Sequence, residues 1–445
     1  MEQNSFNITR REFFKLASVG SAVLTASILP WQAFAAPKGN SLNTTVVSMD
    51  EIKLAAERLS GNIRRTPVVA GGQLSQYTGV DLHLKLESMQ YTGAFKERGA
   101  LNKMSSMTKG EKARGVIAAS TGNHAQGVAY HATRLSLPST IVMPHGTPNM
   151  KVTHTKLLGA NVVIHGSTFD DALAFALNKA SKDGLTFIHP FEDPLVICGQ
   201  GTVGLEIMEV LPDLDVLVVP VGGGGLISGC ATAAKAIKPT LKIYGVEAKG
   251  YSAMRQRLHG QPIVTGGETI AEGIAVHNVG DRTYSIINEL VDDVLVVEEG
   301  SIEKAISLLF EDRKIVSEGA GAVGVAACIE HGKIFEGKKV ATPITGGNID
   351  SRMFATLLNR NLARGGKLVN LRVTSSGQGE VYPEIANLLA KNDALVVNLT
   401  YDQIFHATSA KSPSYNLVLE TRDMRHAEQL VKDFRASGFK AELIK

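Results

Sequence analysis

The sequence predicts an α/β protein built on parallel strands, followed by a smaller ferredoxin-like unit at the C-terminus. From about residue 49 to 345, short apolar runs rich in β-branched residues alternate with amphipathic stretches long enough to cross back over a sheet. This alternation is typical of parallel strands buried on both faces. After Arg364-Gly365-Gly366 the pattern changes to strand, helix, strand, strand, helix, strand, which is a ferredoxin-like order. The two glycines predict a hinge between the two parts.

Individual elements follow from the same patterns. Strands are predicted at residues 82–86, 116–119, 140–143, 162–164, 216–221, 243–246 and 340–344. Helices between them are predicted at residues 125–135, 169–180, 226–237 and 302–313. In the C-terminal unit, strands are predicted at residues 371–373, 394–399, 416–420 and 441–444, and helices at residues 382–391 and 426–436. Ligands of open parallel sheets bind beyond the carboxyl ends of the strands, so the loops after these runs are where chemistry is expected.

Composition narrows the class of partner. The chain has 445 residues, of which 44% are hydrophobic and 20% charged, with a net charge of +3. The body of the sequence contains no block of Lys or Arg long enough to follow a phosphate backbone, which argues against nucleic acid. Cys198, Cys230 and Cys328 are far apart and lack the paired spacing of zinc or redox sites, so we expect them in the core.

The N-terminus has the layout of a signal peptide. Arg10-Arg11 precede a moderately apolar run over residues 16–30, which is followed by Ala33-Phe34-Ala35. We expect cleavage after Ala35 and export through the twin-arginine route to the periplasm or beyond. The run is too short and too diluted by Gly, Ser and Thr to form a stable membrane anchor. The alternative is a cytoplasmic protein that keeps an amphipathic leader.

Two segments carry the main chemical signals. Lys96 lies in a Gly-bounded, partly apolar segment, TGAFKERGA, where desolvation would free its amine to form a Schiff base. A Val-rich strand leads directly into Gly222, Gly223, Gly224, Gly225 and Leu226, which we call the glycine loop, and then into a helix. Successive backbone N–H groups and a helix N-terminus at this place predict a phosphate site. The pattern is neither GxGxxG nor GxxxxGKS, which argues against a dinucleotide or nucleoside triphosphate.

Two more strand-to-helix loops combine glycine with hydroxyl and amide side chains. The 120–124 loop contains Ser120, Thr121, Gly122, Asn123 and His124. The second loop begins at Thr345 and reads TGGN. Each alone would be an ordinary helix cap. Beside a lysine and a phosphate site, they suit a phosphorylated aromatic aldehyde and an amino-acid carboxylate.

Together these segments resemble the fold-type II pyridoxal-phosphate enzymes, and among them the threonine and serine dehydratases, over residues 49–360. TGAFKERGA, STGNHAQGVA, VPVGGGGLISG, EGAGA from residue 318 and TGGNID carry the resemblance. It implies a two-lobed catalytic unit like the tryptophan synthase β-subunit at residues 36–365, after a leader at 1–35. The tail, residues 366–445, resembles an ACT-type regulatory domain, which implies an amino-acid effector, although residues 375–379 lack a clear effector-binding pattern.

The resemblance also implies roles for individual residues. Lys96 would carry pyridoxal 5'-phosphate, the glycine loop would hold the phosphate, Asn123 would bond the ring hydroxyl, and Thr345 would face the pyridine nitrogen. The 120–124 loop would grip the substrate carboxylate, with His124 organising the backbone or binding that carboxylate and not acting as a base. The implied reaction is β-elimination, from L-threonine to 2-oxobutanoate and ammonia and from L-serine to pyruvate, in a homo-oligomer.

Departures from the family pattern leave alternatives open. Ala94 stands where serine is more common, Thr345 where serine is most usual, and Thr121 where dehydratases often have alanine. The hydroxyl of Thr121 would allow racemisation of serine or aspartate, and 3-hydroxyaspartate is an alternative substrate. Glu247 resembles the cation-binding glutamate of some relatives, but Ala253 replaces a second carboxylate, so no metal is expected. An alternative of another class is an exported amino-acid-binding protein without turnover.

Overall fold

The computed structural model describes residues 47–375, 381–402 and 414–444. The predicted leader at residues 1–35 and residues 376–379 of the tail lie outside these ranges. The strands are β1 (Val68–Ala70), β2 (Asp81–Lys85), β3 (Val116–Ala119), β4 (Ser139–Met143), β5 (Asn161–Ile164), β6 (Thr186–Phe187), β7 (Val216–Pro220), β8 (Lys242–Ala248), β9 (Asp293–Val297), β10 (Lys339–Pro343), β11 (Leu368–Thr374), β12 (Leu395–Asp402), β13 (Ser414–Glu420) and β14 (Lys440–Ile444).

The helices connect these strands over the faces of the sheets. They are α1 (Met49–Leu59), α2 (Gln73–Thr78), α3 (Lys96–Ser105), α4 (Lys109–Arg114), α5 (Asn123–Arg134), α6 (Asn149–Leu157), α7 (Phe169–Asp183), α8 (Pro194–Val210), α9 (Gly225–Ile237), α10 (Ala253–Leu258), α11 (Asp281–Leu290), α12 (Glu299–Arg313), α13 (Gly319–Glu330), α14 (Ser351–Arg364), α15 (Val381–Lys391) and α16 (Met424–Ala436). Within the described ranges, no helix is both long and apolar enough to cross a bilayer.

Two parallel sheets form the catalytic part and confirm the predicted two-lobed α/β architecture. The larger sheet has the order β1-β2-β10-β7-β8-β9, and the smaller has the order β5-β4-β3-β6. All neighbours pair in parallel except β1, which pairs antiparallel with β2. The sequence patterns did not predict β1, β6 or β9, and the antiparallel edge departs from the expectation of parallel strands throughout.

Strand β7 shows why an unbroken apolar run forms the centre of the larger sheet. All of its residues are buried. Val216 and Val218 pack into the core on one face, and Leu217 and Val219 pack into the core on the other. Because helices cover both faces, each side chain of the strand meets an apolar surface, and no polar position alternates with the apolar ones.

The C-terminal unit has its own antiparallel sheet, in the order β12-β13-β11-β14. Alternate residues of β11 are buried, which is the pattern of a strand with one face against helices and one face exposed. Leu371, Leu417 and Phe434 belong to one apolar core here, formed with residues of α15 and α16. This arrangement agrees with the predicted ferredoxin-like order.

Candidate active site

The loop that carries Lys96 lies against the loop that follows β10. Ala94 and Gly346 form an isolated β-bridge, and the N–H of Phe95 donates to the carbonyl oxygen of Thr345 at 3.0 Å. Lys96 is the first residue of α3. Thr345 is 3% exposed. Two segments that were predicted to carry the cofactor are therefore neighbours, although about 250 residues separate them in the chain.

The Lys96 amine has the properties that a Schiff-base lysine requires. Its Nζ donates to the carbonyl oxygen of Pro190 at 2.9 Å. Burial lowers the pKa of Lys96 to about 8, while the negative charge of Glu318 opposes this shift. An amine with this pKa is partly neutral near pH 7.5, so its lone pair is available as a nucleophile or a base.

The glycine loop follows β7 and leads into α9. Gly224 has a φ of +90°, a conformation that favours glycine. A Cβ on Gly223 would overlap the ring of Phe191, and one on Gly225 would lie 2.9 Å from the Cα of Phe191. Phe191 thus packs against the loop, while the preceding residue, Pro190, contacts the Lys96 amine. The lysine and the loop meet around this pair of residues.

The 120–124 loop joins β3 to α5 and contains both polar contacts and open space. The Oγ of Ser120 accepts from the N–H of Gly122 at 3.2 Å. A Cβ built on Gly122 would meet no atom within 4 Å, so the loop faces free volume. Asn123 is the first residue of α5, so backbone N–H groups of the helix N-terminus lie beside that volume.

His124 is buried and held by the chain that follows β6. Its Nε2 lies 2.8 Å from the carbonyl oxygen of Ile188, which can only accept, so Nε2 carries the proton. Burial and the charge of Lys96 lower the pKa of His124 to about 3. A neutral, buried imidazole with its proton donated to a carbonyl group suits the predicted backbone-organising role and not a general base.

Several residues of the site were missed by the sequence patterns. Glu318 Oε1 accepts from Asn123 Nδ2 at 2.5 Å, and Asn348 Nδ2 donates to Asn123 Oδ1 at 2.8 Å. His189 Nδ1 accepts from the N–H groups of Phe191 and of the next residue, which shapes the turn beside Lys96. The strand before this turn, β6, has only two residues, which is too short for a sequence pattern to predict.

Glu247 accepts hydrogen bonds at the start of a helix. Its two carboxylate oxygens accept from the N–H groups of Met254 and Arg255, each at 2.9 Å, at the start of α10. It is 1% exposed, and this burial raises its pKa to about 7. Glu247 is therefore a buried helix-capping acid. Among the described residues, no cluster of three or more His, Cys, Asp or Glu side chains is placed to hold a metal ion.

These features fit a phosphorylated aldehyde cofactor. The Lys96 amine is desolvated, the glycine loop leaves no room for side chains and supplies a helix N-terminus, and the loop at residues 120–122 borders free volume. Lys96, the glycine loop, Asn123 and Thr345 are the residues that would hold the group.

Comparison with known proteins also indicates a pyridoxal-phosphate enzyme. Residues 59–346 match the family model described as pyridoxal-phosphate dependent enzyme. The L-threonine ammonia-lyase of Thermotoga maritima is 41% identical over 412 residues, which cover 90% of this chain and 100% of the relative. The catabolic L-threonine dehydratase of Escherichia coli K12 is 43% identical over 309 residues, covering 68% of this chain and 94% of the relative.

Solved structures show the same relationship. The serine racemase of maize has a TM-score of 0.67 and 33% identity, over 71% of this chain and 98% of the other. The processed threonine deaminase isoform 2 of Solanum lycopersicum has a TM-score of 0.66 and 38% identity, over 71% of this chain and 87% of the other. The chain belongs to the family of pyridoxal-phosphate-dependent enzymes, in the group that includes the L-threonine ammonia-lyases.

Proposed function

We propose that this protein removes the amino group of L-threonine by β-elimination, giving 2-oxobutanoate and ammonia, and converts L-serine to pyruvate in the same way. The observation that carries the proposal is the meeting of the Lys96 amine with the glycine loop across Pro190 and Phe191. Relatives named L-threonine ammonia-lyase or dehydratase, at 38–43% identity, support the choice of substrate.

When bound, pyridoxal phosphate supplies an electron sink for the charge left on the substrate when its Cα proton is removed. Lys96 is the base in this proposal. Because burial disfavours its ammonium form, Nζ has a lone pair that takes the Cα proton near neutral pH. Thr345 has a hydroxyl in place of a carboxylate, so it would not keep the pyridine nitrogen of the cofactor protonated, which would favour rapid elimination over transamination.

The 120–124 loop is the proposed carboxylate site. It lies at the N-terminus of α5, where free N–H groups and the positive end of the helix dipole attract anions. Ser120 and Thr121 add hydroxyl groups to the same loop, and Gly122 keeps it clear of side chains. His124 would fix the loop through Ile188.

The test is release of keto acid from L- and D-threonine, serine and 3-hydroxyaspartate, with pyridoxal phosphate supplied. We expect activity with the L forms of threonine and serine, and a visible absorption band from the bound cofactor. Lys96→Ala should lose both, whereas Lys109→Ala, at an exposed lysine of α4, should keep both. No turnover and no absorption band would support the amino-acid-binding alternative.

Racemisation is a second candidate activity. Structures of serine racemases from maize and Dictyostelium discoideum are similar to this chain at 33% and 34% identity, and Thr121 supplies a hydroxyl in the 120–124 loop. Chiral analysis of the amino acid recovered after incubation with L-serine should reveal the D form. If Thr121→Ala leaves the amounts of D-serine and pyruvate unchanged, this role for Thr121 is wrong.

The terminal segments carry two further proposals. We propose that residues 1–35 direct twin-arginine export and are removed after Ala35. N-terminal sequencing of the protein from the periplasmic fraction would test this, and full-length protein in the cytoplasm would contradict it.

We also propose that the unit from residue 366 onward is an ACT-type domain in a homo-oligomer. Its antiparallel sheet with two helices supports this, and a change in activity with added amino acids is the expected result.

A further inference from the structure

A chain of hydrogen bonds fixes the orientation of the Asn123 side chain. Asn348 Nδ2 donates to the carbonyl oxygen of Thr92 at 2.8 Å, and this carbonyl can only accept. The same Nδ2 donates to Asn123 Oδ1 at 2.8 Å. The oxygen of the Asn123 amide is therefore directed to Asn348, and its nitrogen must point to Glu318, whose Oε1 lies 2.5 Å away.

Two glycines make room for this chain. A Cβ on Gly346 would overlap Oε1 of Glu318 and lie 3.1 Å from Nδ2 of Asn123. A Cβ on Gly93, whose φ is +71°, would lie 2.5 Å from Oδ1 of Asn348. The glycines of the TGA and TGG segments thus leave space for polar side chains in addition to allowing the backbone bridge at Ala94.

Glu318 also has an electrostatic link to the Lys96 amine. It precedes α13, and its N–H donates to the carbonyl oxygen of Gly346 at 3.0 Å, which holds Glu318 against the loop that follows β10. Burial raises the pKa of Glu318 to about 7, with Asn123, Lys151 and Lys96 acting to lower it and Glu272 acting to raise it. Its charge in turn raises the pKa of Lys96.

We propose that Glu318 and Asn348 are positioning residues that make Asn123 a hydrogen-bond donor, and never an acceptor, toward the ring oxygen of the cofactor. One N–H of Asn123 goes to Glu318, and the other remains for that oxygen. This inference rests on the proposed function, because it concerns the same site. Without Glu318 and Asn348 the amide of Asn123 is free to turn over, and its oxygen would repel the ring oxygen that its N–H attracts.

The first test is the dissociation constant of pyridoxal phosphate, measured by visible absorption on the apoenzyme. Glu318→Ala removes the acceptor, and Asn348→Asp replaces the donor with an acceptor. Each should weaken binding by roughly 5- to 10-fold, the effect of losing one hydrogen bond of about 1 kcal/mol. Glu318→Gln keeps an acceptor oxygen and should stay within about 2-fold of the wild type. Glu336→Ala, at an exposed glutamate, is the matched control.

The second test is the pH dependence of cofactor capture. Because the charge of Glu318 raises the pKa of Lys96, Glu318→Gln should move the half-maximal rate of capture to lower pH, whereas Asn348→Ala, which changes no charge, should leave it in place. If Glu318 acted in folding alone, the two variants would not differ in the pH dependence of cofactor capture. Lys151, Glu272, His124 and His189 are the other titratable groups near the pair, and all stay unchanged in these variants.

The outcomes separate this inference from the proposed function. If the wild type binds no cofactor and forms no absorption band, the proposed function is wrong. If the wild type binds but Glu318→Ala and Asn348→Asp bind equally well, only the positioning role is wrong. Should Glu318→Ala not fold, Asn348→Asp alone decides, since its prediction concerns the same amide from the opposite side.

Discussion

Arg98 is the centre of a buried ion-pair network two residues after Lys96, and its removal should destabilise the fold strongly. The guanidinium is 0% exposed and donates to Glu87 at 2.7 and 2.8 Å and to Glu206 at 2.7 and 2.9 Å. It also donates to Thr202 at 2.9 Å. Lys85 pairs with Glu206 as well. Two cations and two carboxylates thus balance inside the protein.

Replacing Arg98 by Met keeps most of the volume but leaves one uncompensated negative charge in the core. Loss of one partner of a buried pair costs about 3–5 kcal/mol, because the remaining carboxylate has been taken out of water. We therefore expect Arg98→Met to lose about 3–5 kcal/mol of unfolding free energy. The double variant Arg98→Met/Glu206→Gln restores the charge balance with Lys85 and Glu87, and should recover part of this loss.

Urea unfolding followed by circular dichroism measures the effect, and pH identifies its cause. In the wild type, the charge of Arg98 holds the pKa of Glu87 below its usual range, although burial opposes this. Without Arg98, burial dominates and the carboxyl group takes up a proton as the pH falls. The loss of unfolding free energy in Arg98→Met, relative to the wild type, should therefore become smaller as the pH falls from 8 to 5. A loss under about 1 kcal/mol, or a deficit that does not change with pH, would refute the reasoning.

Three further predictions concern cofactor binding and the pH dependence of the unfolding free energy. Gly223→Ala should abolish binding of pyridoxal phosphate because its methyl overlaps the neighbouring aromatic ring, whereas Gly300→Ala, in open space on α12, should bind normally and gain about 0.5–1 kcal/mol of stability. Glu247 has a folded pKa of about 7, above its unfolded value, so the wild type should lose on the order of 3 kcal/mol of stability as pH rises from 5 to 8, and Glu247→Gln should lose less; parallel curves would contradict this. His124 has a folded pKa of about 3, below its unfolded value, so its contribution is present above pH 6.5 and is lost below it at about 1.4 kcal/mol per pH unit; His124→Gln should have a shallower acid limb, and an equally steep one would contradict this.

Much of the fold was predictable because buried parallel strands have a distinct composition. The prediction at residues 116–119 agrees with β3 as observed, and the prediction at 216–221 extends one residue past β7. Each is a continuous apolar run that leads into a glycine-containing loop. The same logic predicted the glycine loop and the 120–124 loop as sites, since both follow the carboxyl ends of strands. Lys96 was predicted from its own Gly-bounded segment, which lies against the loop after β10.

The missed parts depend on contacts that no local pattern records. Strand β6 has two paired residues, too few to show a period, yet the chain after it contacts both His124 and Lys96. Glu318 and Asn348 lie in segments that were noticed for their glycines, but their partner Asn123 is 195 and 225 residues away. Asn123 follows a strand of the smaller sheet and Asn348 follows a strand of the larger one, so the packing of the two lobes against each other brings these amide and carboxyl groups together.

One short segment contains both the proposed reactive lysine and residues that stabilise the fold: Lys96-Glu97-Arg98-Gly99. Glu97 is fully buried and accepts from the N–H and hydroxyl of Thr92 at 2.7 Å, which closes the loop before α3. Arg98 joins the buried network, and a Cβ on Gly99 would overlap a side chain of α8, so only glycine allows the two helices to pack this closely. In the proposed function, Lys96 is the reactive residue of these four, and the other three hold it in place. Substitutions at Glu97, Arg98 or Gly99 should therefore act on stability and cofactor binding together, whereas Lys96→Ala should remove activity from a protein that still folds.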